Sequence, residues 1–404
     1  MNVLVVNIGS TSFKFRLFDM RDERVLAQGS VEGVGRPAAR LTLRFGDSAP
    51  TTGERPVRDQ LEAIRLCLAA LGHPPAGRED EAGPQPELRI DAVGFKAVHG
   101  GELPEAVRVT PEVLRVMEGL ADAAPAHNPA YVKAMRAFGE LLPGIPLVAA
   151  FETGFHRTVP ESRQTYAVPY EWKQQYGIRR YGFHGASHRY VAGRVAELLG
   201  RGDLRIISCH LGGSSSVCAI RDGRSVANSF GMTPQSGLPH NNRVGDFDAY
   251  ALPVLRARTG LSFEELLEQM ACRGGLLGLS GISNDMEEIL AAARRGERRA
   301  ELAVDVLAES ARDYIGAYLV ALGGLDVLVF TGAIGERSPE VRRRICRGLE
   351  FLGIRLDAAR NERGGDGALL ASDGAPVRIL ALRTNEELVV ARQTRAVLER
   401  TESD

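Results

Sequence analysis

Lysine is nearly absent from this sequence. Of its 50 basic residues only four are lysine, Lys14, Lys96, Lys133 and Lys173. Arginine is therefore the default cation, and a lysine at a working position asks for a reason. A bias of charge is also lacking. The formal net charge is −1, which excludes a global field that would draw in nucleic acid or an anionic membrane. Long apolar runs are missing: stretches such as Asp326–Phe330 are far too short to span a bilayer. The five cysteines, Cys67, Cys209, Cys218, Cys272 and Cys346, are scattered with no Cys-x-x-Cys pair. The opening MNVLVVNIGS enters a strand-like run without a basic segment or cleavage site, so no secretory signal is expected. Together these absences point to a cytoplasmic enzyme with reduced thiols.

What is present is the composition of a soluble globular protein, 44% hydrophobic and 25% charged. A chain of 404 residues exceeds one ordinary core and predicts two domains. Strand and helix patterns alternate along it. Val3–Asn7 and Phe13–Phe18 read as strands around a Gly/Ser turn, with Ser30–Val34 and Leu41–Phe45 continuing an antiparallel sheet. Residues 46–56 read as a polar loop, 57–71 as a helix, and 74–87 as a surface insertion. Asp91–Val98 and Ile145–Phe151 read as strands. Thr110-Pro111 and Asn128-Pro129 each carry an N-cap followed by proline at the first helical position. Further on, 186–199 reads as a helix, and Leu204–His210 as a strand. Val217–Ile220 and Arg224–Val226 flank the hairpin turn Arg221-Asp222-Gly223. Helices are expected over 263–270 and 300–322, from Ser338 to about 352, and from Asn385 to about 400. Leu325–Phe330 and Val377–Leu382 read as strands.

A weak internal repeat emerges. Residues 3–19 and 205–222 share one plan: apolar strand, polar residue, Gly/Ser-rich turn, apolar strand, acidic turn. The spacing is about one domain length, so a duplicated domain is expected. Two such hairpins facing each other would clamp a phosphate. In the first, Asn7-Ile8-Gly9-Ser10-Thr11-Ser12-Phe13-Lys14, glycine admits an anion to the backbone, the hydroxyls donate, and Lys14 adds a point charge. The spacing is not that of a Walker A loop. In the second, His210-Leu211-Gly212-Gly213-Ser214-Ser215-Ser216, three serines suit a polar turn better than a helix or core. Thr331–Glu336 is a glycine-bearing loop at a strand's carboxyl end, where nucleotides bind in α/β folds. Arg179–His188 is the densest polar run, and its histidines suit phosphoryl contact or acid–base work.

These segments, in this order, resemble the acetate kinase family. The resemblance also takes in Val98-His99-Gly100-Gly101, His127-Asn128-Pro129, Arg243-x-Gly-Asp246-x-Asp248, Ser280–Ser283, Phe330–Glu336 and Thr384–Glu387, and it covers nearly the whole chain. It implies an α/β, two-domain actin-like fold, with residues 1–152 plus 386–404 in the first domain and 153–385 in a second, nucleotide-binding domain. It implies a homodimer, Mg²⁺, and transfer of the γ-phosphoryl of ATP to a short carboxylic acid, giving ADP and an acyl phosphate. Asn7 and Glu386 would be linked to the metal. Lys96, Glu152, His184 and Arg243 would be catalytic, with His184 and Arg243 holding the transferring phosphoryl. Ser10, Ser12, Lys14 and the run His210, Leu211, Gly212, Gly213, Ser214 would line the ATP phosphates. Asp285, Met286 and Glu287, with Gly332, Ala333, Ile334, Gly335, Glu336 and Arg337, would line the rest of the nucleotide. Lys96, Val98, Ala126, His127, Phe183 and Pro234 would form the acceptor site.

The sequence departs from the family pattern inside that site. Lys96 stands where the family has arginine, Glu152 where it has aspartate, and Gly213-Ser214 where it has Asn-Gly. His240-Asn241-Asn242 replace small residues before Arg243. Ala126, Glu287, Ala333 and Arg337 also differ. A lysine cannot reproduce the planar bidentate fork of arginine, and Glu152 reaches one methylene further than aspartate. These changes leave three other readings beside the leading one: a homologue with a larger acyl acceptor, one with a donor such as pyrophosphate, and a catalytically silent regulatory homologue. A sugar kinase or actin-like ATPase is disfavoured by Asn7, which stands where those folds carry an aspartate.

Overall fold

The structure is a computed structural model that describes residues 1–9, 11–72, 88–125 and 127–401. The expected insertion at 74–87, Ser10 and Ala126 lie outside the described residues. The chain divides into two compact units, Met1–Gly154 with Asn385–Asp404, and Phe155–Thr384.

The first unit is built on an eight-stranded sheet of order β5-β4-β3-β2-β1-β6-β8-β7. Its strands are β1 (Asn2–Ile8), β2 (Ser12–Asp19), β3 (Arg24–Glu32), β4 (Ala39–Phe45), β5 (Thr51–Arg55), β6 (Ala92–Ala97), β7 (Ala106–Arg108) and β8 (Leu147–Phe151). β1, β6 and β8 run parallel at its centre. A parallel strand is covered on both faces, and β1 is buried at nearly every position. On one face Leu4, Val6 and Phe95 meet the helices Gln60–Ala70 and Asn128–Leu141, with Phe95 edge-on to Phe138 at 5.4 Å. The helix Glu386–Thr401 lies against β1, β6 and β8. It comes so close that a Cβ at Gly94 would stand 2.3 Å from Thr394 Oγ1.

The second unit holds a six-stranded sheet, β11-β10-β9-β12-β14-β13. Its strands are β9 (Arg205–His210), β10 (Ser216–Arg221), β11 (Arg224–Asn228), β12 (Val327–Thr331), β13 (Ala368–Leu369) and β14 (Arg378–Ala381). The alternation of the strands serves two cores. Ile207, Cys209, Val217, Leu328 and Phe330 pack on the long helix Arg298–Leu322. Ile206, Cys218, Ile220, Val327 and Val329 pack on the helix Gly185–Leu199. The order β3-β2-β1-β6-β8-β7 in the first sheet matches β11-β10-β9-β12-β14-β13 in the second, with the same parallel trio and antiparallel flanks. The repeat read between 3–19 and 205–222 is thus β1–β2 against β9–β10.

Several local expectations need correction. The loop 46–56 contains β5, a wholly exposed edge strand; with no core face to bury, its polar sequence carries no strand period. β3 begins at Arg24, not Ser30. The first helix starts at Gln60, capped by Asp59, which accepts from the Glu62 N–H. Thr110 is an N-cap, but Asn128 is not. Its amide is buried, accepting from the His99 N–H at 3.3 Å and donating to the carbonyls of His99 and Met117. His127 takes the cap position instead. The helix opened by Ser338 ends at Cys346. The 221–223 hairpin turns through positive φ at Asp222 and Gly223, as a tight hairpin requires. Among the described residues no helix is long and apolar enough to cross a membrane.

Candidate active site

In the first unit the candidate residues gather at the carboxyl ends of the parallel strands, where α/β sheets place their ligands. Asn7 lies next to the end of β1, Lys96 next to the end of β6, and Glu152 follows β8 directly. Lys96 Nζ stands 3.2 Å from Glu152 Oε1 and 2.6 Å from Glu386 Oε2. Burial works against the ammonium, but the two carboxylates outweigh it and hold Lys96 well above the ordinary lysine range. Glu386 sits in the first turn of the last helix, where the Asn385 side chain accepts from the Leu388 N–H. Tyr131, fully buried, joins the group. Its hydroxyl accepts from the Ile8 N–H at 3.0 Å and donates to Asn7 Oδ1 at 3.4 Å. Burial pushes that phenol up to about 12. The Gly9 turn closes on Ser12: a Cβ at Gly9 would stand 2.5 Å from Ser12 Oγ, and Gln60 donates to the carbonyls of both residues. Lys14 is the exposed position of the largely buried β2, 4.0 Å from Glu32. Val98 packs beside the unit's core.

In the second unit His184 opens the helix Gly185–Leu199 at φ +58. A left-handed non-glycine residue at a helix start is a strained position that the surroundings must enforce. They do so from both sides. His184 Nδ1 meets Ser216 Oγ at 2.9 Å, and its ring lies 4.1 Å from that of His210, tilted by 31°. Just before it, a Cβ at Gly182 would strike the His156 ring at 2.8 Å. His156 Nε2 donates to the Phe183 carbonyl at 2.9 Å, and Asn228 brackets the same residue, accepting from its N–H and donating to its carbonyl. His210 Nδ1 bonds Ser187 Oγ at 2.8 Å.

The turn after His210 is tied to the short helix Gly332–Arg337, which follows β12 directly where the sequence predicts a loop. Leu211 donates to the Thr331 carbonyl, and its own carbonyl accepts from the Ile334 and Gly335 N–H groups. A Cβ at Gly332, where φ is +77, would stand 2.6 Å from that carbonyl, so glycine is required. Beneath this helix Arg342, 1% exposed, donates to the Gly335 and Glu336 carbonyls and to Asn361. His240 supports the turn from the other side. Its Nδ1 accepts from the Ser215 N–H at 2.9 Å, which leaves the proton on Nε2, facing the Ser236 carbonyl. The Asn241 N–H reaches the Gly213 carbonyl. Arg243 donates to the Pro234 carbonyl at 2.6 Å, and burial draws it down to about 10.

The Asp285–Glu287 run is mixed in kind. Asp285 caps its own helix through the Glu287 and Glu288 N–H groups, Met286 is core, and Glu287 is exposed. Glu336 accepts from Arg383. A cavity of about 600 Å³, lined by Gly237, Asp246, Gly274, Gly278, Tyr314 and Ala317, holds none of the candidate residues.

The family model for the acetokinase family matches residues 2–392. The chain belongs to the acetokinase family. Acetate kinase of Dictyoglomus turgidum is 44% identical over 398 residues, 98% of this chain and 97% of that one. Acetate kinase of Bacillus subtilis is 40% identical over 394 residues, 96% and 98% of the two chains. Among solved structures, Porphyromonas gingivalis acetate kinase superposes with a TM-score of 0.88 at 39% identity, covering 98% of this chain and 99% of that one. A propionate kinase from Francisella tularensis gives 0.89 at 30%, with the same coverage. The fold is the actin-like ATPase fold, and the chain is an acetokinase-type phosphotransferase with a carboxyl group as acceptor.

Sequence reasoning missed Tyr131 in the first unit and His156, Asn228 and Arg342 in the second, because the groups each one bonds are brought to it by folding rather than by local pattern. His240 was noted only as a departure from the family pattern. As to a metal, Asn7, Glu152 and Glu386 offer hard oxygen donors. Among the described residues no group of three or more His, Cys, Asp or Glu side chains could hold an ion alone. Few protein ligands suit Mg²⁺, which takes most of its shell from phosphates and water.

Proposed function

We propose that this enzyme transfers the γ-phosphoryl group of ATP to a short-chain carboxylate. The acid's oxygen forms the new P–O bond, the bond to the β-phosphate bridging oxygen breaks, and ADP leaves. The observation that carries this reading is the turn after His210 locked to the helix Gly332–Arg337 in the second unit, with the His184 and His210 rings side by side. Phosphoryl transfer needs positioning and charge neutralisation more than covalent chemistry. Arg243 and His184 neutralise the transferring group; His210 to Ser214, with Ser10, Ser12 and Lys14, hold the phosphates. Asp285–Glu287 and Gly332–Arg337 flank the nucleoside. Lys96, Val98, Ala126, His127, Phe183 and Pro234 receive the acid, and Glu152 balances Lys96. Asn7 and Glu386 would hold Mg²⁺, which when bound neutralises phosphate charge.

The relatives' names favour acetate among the acids. The protein's five cysteines are all free, in keeping with a reducing, ATP-containing cytoplasm. Exposed Tyr250, Val254, Phe263 and Leu267, on or beside the helices Ala251–Thr259 and Phe263–Cys272, suit a self-association face and support a homodimer. The test is hydroxylamine trapping of the acyl phosphate over a panel of acids, with ATP or pyrophosphate as donor and with or without EDTA. Hydroxamate from acetate and ATP, lost on chelation, is the expected result. No hydroxamate from any acid with either donor would reject the reading.

A further inference from the structure

Lys96 is the one lysine of this arginine-rich chain that is ringed by buried carboxylates among the described residues. Its side chain is 17% exposed, that of Glu152 6% and that of Glu386 14%. The three arrive from different elements: β6, the residue after β8, and the first turn of the final helix. The pairing of β6 with β8, Lys96 beside Ala150 and Ala97 beside Phe151, sets the ammonium next to the strand end from which Glu152 projects. Two carboxylates converging in a poorly solvated place need a cation between them. A guanidinium is broad and planar and bonds best edge-on to one carboxylate. An ammonium is a compact point charge with three donors, and fits between two. In size and demand it resembles a small metal ion more than it resembles arginine.

We propose that Lys96 is a resident counter-ion, whose ammonium holds the place between Glu152 and Glu386 that a divalent cation would otherwise take. Free divalent metal then binds this pair weakly, because it has to displace a covalently tethered charge from both oxygens. The inference rests on the proposed function only for the identity of the competing ion.

The probe is Mn²⁺ added to the full-length protein without nucleotide, with the unbound ion counted by electron paramagnetic resonance. Lys96→Met should bind Mn²⁺ about tenfold tighter than wild type or better, and adding Glu386→Gln should remove the gain. Equal affinity in wild type and Lys96→Met, or a gain that survives Glu386→Gln, overturns the proposal. Should Lys96→Met not fold, Lys96→Gln, which keeps a neutral donor to the same carboxylates, takes its place. It should bind Mn²⁺ tighter than wild type, and equality again overturns the proposal. Acyl phosphate is not read in this experiment. A failed hydroxamate assay and a failed metal titration are therefore separate outcomes.

Discussion

His184 Nδ1 lies 2.9 Å from Ser216 Oγ, and the same hydroxyl lies 2.9 Å from His188 Nε2. A hydroxyl has one proton to give, so Ser216 can donate to only one of the two imidazoles. When His188 donates to Ser216 and Ser216 to His184, His184 keeps its own proton on Nε2. That is the tautomer able to donate to a phosphoryl oxygen.

Ser216→Ala removes this relay without touching the substrates. It should lower kcat about tenfold, the worth of one hydrogen bond of about 1.4 kcal/mol, and leave the KM for ATP unchanged. Steady-state kinetics checks this. A change confined to KM would assign Ser216 to ground-state binding instead.

Arg243 is held by the Pro234 carbonyl in a buried setting, so its charge is only partly screened by water. Arg243→Ala should cut kcat by about a hundredfold or more while changing KM little, because the contact strengthens as charge spreads in the transition state. If KM rises and kcat stays, Arg243 is not a transition-state contact.

Three buried histidines set the acid side of the stability curve. Burial holds His156 down to about 4 and His240 to about 3, and His188 well below the ordinary range. Each is neutral when folded and takes up a proton below about pH 6.5 when unfolded. Their contribution is therefore complete above that pH and is lost as the pH falls. Stability should drop by up to about 1.4 kcal/mol per pH unit per histidine between about pH 6.5 and 5. Urea unfolding across this window checks the slope; a flat profile would mean the rings titrate normally in the folded state.

Arg342 props the short helix Gly332–Arg337 from beneath. Its guanidinium satisfies the carbonyls of Gly335, Glu336 and Asn361 and the Asn361 side chain. Arg342→Met fills much of the volume but strands those acceptors. It should cost about 3 kcal/mol or more in denaturant unfolding and raise the KM for ATP. A neutral variant would show that the helix Gly332–Arg337 holds its place without this prop.

In the proposed function the small side chain of Ala126 helps to receive the acid. Ala126→Leu should move the ratio of kcat/KM for propionate over acetate towards acetate by about fourfold, the worth of one buried methylene of about 0.8 kcal/mol. An unmoved ratio across acetate to valerate would remove residue 126 from the acceptor pocket.

Much of this molecule was legible before any coordinates. The parallel strands announce themselves as short apolar runs ending in polar residues, because strands covered on both faces have no solvent side to alternate with. The Gly/Ser turns after β1 and β9 and the run Arg179–His188 carry their chemistry within a few residues, so the sequence by itself determined the duplicated plan, the family and the candidate residues. Tertiary structure alone decided which groups meet. Sheet order brings Lys96 to Glu152, and the docking of the final helix brings Glu386 to Lys96; packing of distant turns brings the Ser215 N–H to His240. Packing turned Asn128 from a cap into a buried bridge and placed Arg342 beneath the helix Gly332–Arg337. Local pattern reports which face a residue presents. The partner on that face is chosen by register and packing between segments far apart in the chain, and buried charges and carbonyls must then be satisfied by whatever that packing delivers.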